Sequence, residues 1–403
     1  MNSKGCYKSC LVILYNSKGN GYIHLVKDKR ITRGAVYMGR KTPLYGFHSS
    51  HGHIGDYVGF DMPLWYEGIV PEVISVRERA GLFDISHMGR VRFEGRDAGN
   101  FLDYLTTNEF SNLQPLQAKY CMLCNEKGGV VDDVIPIKLG EESYQIVWNA
   151  VNREKNLNWS KKHLKGFKVK VEDISDRSFM FALQGPLAQQ VLQPLCDVDL
   201  VELKRFRGIY GKIGGTKCLI SRTGYTGEDG FEIFSTNPEE AEGVWNAILS
   251  SGATPAGLGA RDVLRMEAGF PLYGHEINEM INPVEARLEF AVKLEKPNFI
   301  GKDALLRISK EGVRRRRTGI RMVDRAIPRE GFKVLIGGKE IGEVTSGTYS
   351  PTLKIGIAMG YINVDLALGK EVFVDVRGRE SRGIITDMPF YDTQRYGWRR
   401  EHA

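Results

Sequence analysis

Two adjacent carboxylates, Asp132 and Asp133, stand between the β-branched pairs Val130-Val131 and Val134-Ile135. Those flanks favour an extended strand. A strand sends neighbouring side chains to opposite faces, so the two carboxylates cannot share one. The flanks are apolar on both faces, so at least one carboxylate points into a covered region. A buried carboxylate is costly unless it is paired or used, for instance as an acid or base. Gly128-Gly129 just before the strand gives a turn or a close approach of backbone to a ligand. The plain alternative is a hairpin whose Asp residues cap a turn.

Other groups could also do chemistry. Glu232 sits between Phe231 and Ile233 in an alternating run, so it faces away from both. Arg261, Asp262 and Arg265 lie on a helical stretch, where they form surface pairs or set a guanidinium toward a ligand. Asn149 ends the strand-like run Tyr144–Trp148, either as the N-cap of the next helix or as a polar group offered to a ligand. His87, among Ile85, Met88 and Val91, reads as a packed, hydrogen-bonded histidine rather than a base. Cys121-Met122-Leu123-Cys124 has a redox or zinc spacing, but on a strand those two cysteines face opposite ways, and no second pair completes a site.

The elements that must position these groups are mixed. A helix is expected over 70–80, a strand over 91–94, and a helix from an Asp97 cap to Leu105. Helices also open at Gly185-Pro186 and Asn237-Pro238, with Pro in the first turn. Between strands 217–221 and 231–234 lies a glycine-rich turn, Thr223 to Gly230. Aromatics at 45–47 and 60–66 read as core plugs or as walls for a flat ligand. After Lys310 the chain becomes short strands and Gly turns, a separate all-β barrel or sandwich. The basic run Arg314 to Arg317 enters that region as a solvated strand edge.

The 403 residues allow two or three domains, and the composition is that of an ordinary soluble protein. Of the net charge of +7, +6 falls in residues 1–37, so the body carries no basic nucleic-acid surface. That leading segment reads as a poorly ordered extension, with Met38 as an alternative start. No apolar run is long enough to span a bilayer. Six cysteines are too sparse for a disulfide scaffold, which fits a reduced, cytoplasmic protein. No dinucleotide fingerprint is present.

Taken together, the motifs resemble the aminomethyltransferase, or T-protein, family of the glycine cleavage system. The resemblance rests on Thr42-Pro43-Leu44-Tyr45 with Phe47-His48, on Phe83 to Met88, and on Gly128-Gly129 with Asp132-Asp133. It continues through Leu183-Gln184-Gly185-Pro186, Arg222 to Gly230 with Glu232, and Ala260-Arg261-Asp262 with Leu264-Arg265 and Glu267-Ala268-Gly269. Pro283-Val284-Glu285 and Val344-Thr345-Ser346-Gly347 complete it, over residues 40 to 390 or so.

The resemblance implies an α+β fold of three domains in a clover arrangement around a central folate channel. It divides the chain into an unmatched 1–37, a folate-binding core of two interleaved subdomains over 38–312, and a C-terminal β-barrel domain over 313–403. It implies that the one-carbon unit on the lipoyl group of H-protein passes to tetrahydrofolate, with release of ammonia, and that no metal, membrane or nucleic acid takes part. By the same resemblance Asp133 is the catalytic carboxylate. Glu232, Arg261, Asn149, Tyr120, Met62 and Tyr225 are folate contacts, with Arg395 at the position where relatives often carry Tyr. The rival implications are a stand-alone folate-dependent demethylase and a non-catalytic folate-binding protein.

Overall fold

In the computed structural model the described residues are 39–363 and 366–400, with the backbone of two strands in the leading segment. Those strands, Leu11–Tyr15 and Gly21–Leu25, pair antiparallel. The rest of 1–38, with Cys6, Cys10 and Met38, lies outside the described residues, as does the expectation that the segment is unordered.

Alternation along the chain builds two sheets. The aspartates lie on the strand Val130–Gly140, in a five-stranded antiparallel sheet. Its neighbours are Cys121–Cys124 on one side and Ser143–Trp148 on the other, followed by Gly89–Glu94 and Lys170–Asp173. Cys121 and Leu123 enter the core on one face, while Met122 and Cys124 enter the core on the other. The two cysteines are therefore apart and free, and burial pushes the Cys124 thiol up to about 12. The strand begins where Gly129 passes the backbone of Glu279 so closely that a Cβ would come within 1.9 Å of its carbonyl oxygen. Gly128, at φ +86°, makes the turn that allows this approach.

The second sheet has six strands, ordered Gly208–Ile213, Thr216–Ser221, Gly230–Ser235, Phe179–Gln184, Gly81–Asp84 and Thr254–Pro255. Phe231, Ile233, Phe181 and Leu183 bury one face under the helix Ala241–Ser250 through Val244, Trp245 and Ile248. Phe83, Ala182 and Met180 carry the other face, packed against Val73 and Val76 of Ile69–Glu78 and Ala260, Val263 and Leu264 of Leu258–Glu267. The first sheet is thus an insertion between the Gly81–Asp84 and Phe179–Gln184 strands of the second. Two cap expectations differ. The Asp97 carboxylate accepts the Lys168 N–H at 2.7 Å instead of capping Ala98–Leu105. The helix after Gly185-Pro186 is short, Ala188–Leu192, and passes into a 3₁₀ turn at Gln193–Leu195.

The C-terminal strands close into a barrel: Arg315–Met322, Ile355–Asn363, Lys339–Ser350, Lys333–Ile336, Glu371–Val376 and Arg379–Thr386. A register shift between Val344 and Ser346 lets Thr345 donate to Glu276 at 2.6 Å and Ser346 accept from Arg265 at 2.9 Å. The Tyr361 hydroxyl donates to the Glu276 carbonyl at 2.6 Å. The barrel is thereby fixed to the helix that carries Arg261.

Candidate active site

Asp132 and Asp133 have different surroundings. Asp132 is 0% exposed. Its carboxylate accepts from the side-chain amides of Asn149 at 2.8 Å, Asn152 at 2.6 Å and Asn156 at 2.5 Å, and from the Asn149 backbone N–H at 3.3 Å. Asn152 and Asn156 come from the start of the helix Arg153–His163, whose positive end also favours a carboxylate there. Asp133 is half-buried, and its partners are the Tyr120 hydroxyl at 3.0 Å and the Asn149 amide at 2.7 Å.

The two aspartates leave opposite faces, yet both meet Asn149. Pairing with Ser143–Trp148 begins only at Ile135, opposite Val147. Asn149 lies just past the end of its strand, in the plane of the sheet, and so reaches a side chain from each face. It makes no cap hydrogen bond to the following 3₁₀ turn.

Burial raises both carboxyls, and the Asp133 charge raises Asp132 further, to about 7. Four N–H donors to Asp132 pull its carboxyl back, against burial and the Asp133 charge. Asp132→Asn would set one more NH₂ among amide donors that need an acceptor. We expect a stability loss of about 1–3 kcal/mol, read as a lower melting temperature. The pH dependence has a definite sign. A carboxyl raised on folding favours the folded state at low pH and loses that contribution as pH rises through its folded value. The wild-type melting temperature should therefore decline through about pH 7 more steeply than that of Asp132→Asn; parallel curves would contradict the assignment.

Glu232 is half-buried, on the face opposite the buried Phe231 and Ile233. Thr223 is its hydrogen-bond donor, at 2.6 Å, and no other is found among the described residues. Burial raises its carboxyl, while Thr223 and the Arg261 charge pull it back. The Arg261 guanidinium lies over the Tyr225 ring at 4.8 Å, and its Nη1 is buried with no partner. The surface pairing expected around Arg261 is instead an interior one that excludes it. Arg265 is buried and bonds Asp262 and Glu276, each at 2.8 Å, which holds Glu276 down at about 2. Tyr225 donates to the Pro271 carbonyl at 2.5 Å and stacks on Phe270. Burial raises its hydroxyl, the Arg265 and Arg261 charges lower it, and the Asp133 charge raises it.

Two residues are not brought to this group. Met62 is fully buried in a small cluster with Phe60, Leu64 and Leu258, with no surface left for a ligand. Arg395 is exposed, with its guanidinium over the Tyr396 ring at 5.2 Å. Two others differ from their sequence reading. Arg317 is buried rather than solvated, donates to the Gly269 carbonyl at 2.6 Å, and places a positive charge near Asp133. His87 is buried with Nδ1 unpartnered, and burial and Arg261 push it down to about 3.

The family described as the GCVT N-terminal domain matches residues 44–296, and the glycine cleavage T-protein C-terminal barrel domain matches residues 315–392. The chain belongs to the glycine cleavage T-protein family. It is similar to the aminomethyltransferase of Thermosipho melanesiensis, 45% identical over 351 residues, which cover 87% of this chain and 96% of that relative. It is also similar to the aminomethyltransferase of Geobacillus kaustophilus, 46% identical over 362 residues and covering 88% and 99%. A crystal structure of glycine cleavage system aminomethyltransferase T from Bartonella henselae superposes with a TM-score of 0.83 at 35% identity, covering 89% of this chain and 99% of that one. The chain is thus a T-protein-family enzyme with the family's α+β core and C-terminal barrel. Among the described residues no helix is long and apolar enough to cross a membrane.

Proposed function

We propose that this chain passes the one-carbon unit carried as an aminomethyl group on the lipoyl arm of H-protein to tetrahydrofolate. Ammonia is released and 5,10-methylenetetrahydrofolate is formed. The observation that carries the site assignment is the unequal pair: Asp132 is saturated by four donors, while Asp133 keeps acceptor capacity beside Tyr120 and Asn149.

The residues present fit a flat substrate with a polar edge. Glu232 has one donor from the chain and room for others, and Arg261 offers a buried N–H with no partner. Bound tetrahydrofolate would supply the nitrogens that accept the one-carbon unit. Glu232 would accept from the amino and ring N–H groups of the pterin. Tyr225 and Tyr120 would wall the site, and Asn149 would orient Asp133. Asp133 would stabilise positive charge developing at the transferred carbon and move a proton there as the amine departs. Burial raises the Asp133 carboxyl, which suits a group that takes up and gives up a proton.

The proposed division of the chain has residues 1–37 outside the enzyme proper, residues 38–312 supplying all of these groups except Arg317, and residues 313–403 holding them in place. A reduced, cytoplasmic setting and docking of lipoylated H-protein belong to the same reading.

Glu232→Ala tests the pterin anchor. Each hydrogen bond lost to a charged group costs about 1.5–3 kcal/mol, which corresponds to roughly 10–100-fold weaker folate binding. Melting without folate should change little, since Thr223 is the one chain donor given up. Unchanged affinity by calorimetry would remove Glu232 from the site.

A further inference from the structure

His87 follows the strand Gly81–Asp84 in a turn that is held from two sides. The Ser86 N–H donates to Asp84 at 2.8 Å, and the Met88 N–H donates to the Ile85 carbonyl at 3.1 Å. Asp84 in turn pairs with His48 Nε2 at 2.9 Å, and the Tyr66 hydroxyl meets His48 Nδ1 at 2.8 Å. All three of these side chains are buried, so the turn cannot swing outward cheaply. The His87 ring is 2% exposed, edge-on to Tyr57 at 5.4 Å and to Phe60 at 6.4 Å. Neither of its ring nitrogens has a hydrogen-bond partner among the described residues, and Nδ1 is sealed from solvent. A sealed donor without a partner is costly, so the ring proton belongs on Nε2, which is not among the sealed atoms and can meet a partner from outside the chain.

The sheet register says what lies beside it. Glu232 pairs across to Ala182, and Ala182 to Phe83. Glu232 and Phe83 therefore share a face, two strand spacings or roughly 10 Å apart. Arg261 reaches this face with its own unpartnered Nη1, and its charge acts on both Glu232 and His87. An acceptor carboxylate and two donors thus lie toward one face of the sheet, on which the helix carrying Arg261 packs. A pterin presents the complementary set along its pyrimidinone edge: the 2-amino group and N3–H donate, and the C4 oxygen accepts.

Building on the folate reading above, we propose that His87 is a specificity residue whose ring N–H, together with Arg261, binds the C4 carbonyl oxygen of the pterin. The enzyme would then select 4-oxo over 4-amino pteridines. A neutral imidazole has one N–H to give, and burial, helped by the neighbouring guanidinium charge, keeps the ring neutral.

The test measures, by calorimetry, the dissociation constants of tetrahydrofolate and its 4-amino analogue for wild type, His87→Leu and His87→Gln. Wild type should prefer the 4-oxo compound. That preference should shrink about tenfold in His87→Leu and be largely kept in His87→Gln, which retains a donor. A preference in His87→Leu equal to that of wild type would overturn the proposal. Should His87→Leu not fold, ¹⁵N-histidine-labelled wild type decides: the His87 ring resonances must move on adding tetrahydrofolate, and unmoved resonances overturn the proposal. Wild type binding neither compound would refute the folate reading itself, a different failure from folate bound without discrimination.

Discussion

Asp133→Asn should bind tetrahydrofolate nearly as well as wild type and turn it over ~10²–10⁴-fold more slowly, the usual range for a positioned acid or base. The substitution keeps the side-chain volume and one acceptor oxygen, so Tyr120 can still donate to it. It removes the charge that would face the reacting carbon. Two side effects should be small. The Asn149 amide keeps Asp132 as a partner, and Asp132 loses a repelling neighbour, so melting should not fall and the Asp132 carboxyl should return toward its ordinary range. Asp132→Asn should behave in the opposite way, with lower stability and a smaller loss of turnover at temperatures where it is folded. Equal losses of turnover in the two variants would contradict the separation into a scaffolding and a reacting carboxylate. Inactivity of Asp132→Asn alone would reverse the assignment.

The second large effect is expected far from the chemistry. Arg77, on the helix Ile69–Glu78, is fully buried. Its guanidinium contacts Glu228 at 2.9 Å and Glu267 at 2.9 Å, donates to the Thr226 carbonyl at 2.9 Å, and lies 4.6 Å over the Tyr391 ring. Glu267 also accepts from Ser350 at 2.5 Å and Thr352 at 2.9 Å, at the end of a barrel strand. Arg400 bonds Glu228 from the chain's last described turn. One cation thus ties together both ends of the site: the loop carrying Tyr225, the helix carrying Arg261, and the barrel. Arg77→Met keeps most of the volume but leaves Glu267 buried without its cation and Glu228 with Arg400 alone. Breaking such a pair costs about 3–5 kcal/mol, and melting should fall by on the order of 10 °C. Adding Glu228→Gln and Glu267→Gln to Arg77→Met should restore part of the loss, because the uncompensated charge is then gone. A melting temperature within ~2 °C of wild type for Arg77→Met would show that the network is not what holds the barrel to the core.

Some of this was readable in the chain and some was not, for identifiable reasons. Period-two alternation located Glu232 on the face away from Phe231 and Ile233, because both neighbours are large and apolar. It also separated Cys121 from Cys124, which enter different cores. The covered position of one aspartate followed from apolar flanks on both faces. The meeting of both aspartates at Asn149 did not, since it depends on where a neighbouring strand ends. Arg261, Arg265 and Asp262 looked like an exposed helix face because charges at that spacing usually are; the barrel and the 270–276 loop, distant in sequence, bury Arg265. Arg317 was hidden for the same reason, as the last of a basic run whose earlier members are solvent-facing. His87 matches its sequence reading in burial but not in hydrogen bonding. Apolar neighbours argued for a satisfied core histidine, and the ring is in the core but not satisfied. Met62 and Arg395 came from the resemblance alone, and the structure gives neither a surface facing the other site residues.

The most direct test of the central claim is a turnover assay with the full chain, tetrahydrofolate and aminomethylated, lipoylated H-protein. It follows 5,10-methylenetetrahydrofolate and ammonia together. The account predicts equal amounts of both products, dependent on H-protein and strongly reduced in Asp133→Asn. Folate binding without either product, or one-carbon transfer from an N-methyl amine in place of the lipoyl carrier, would contradict it.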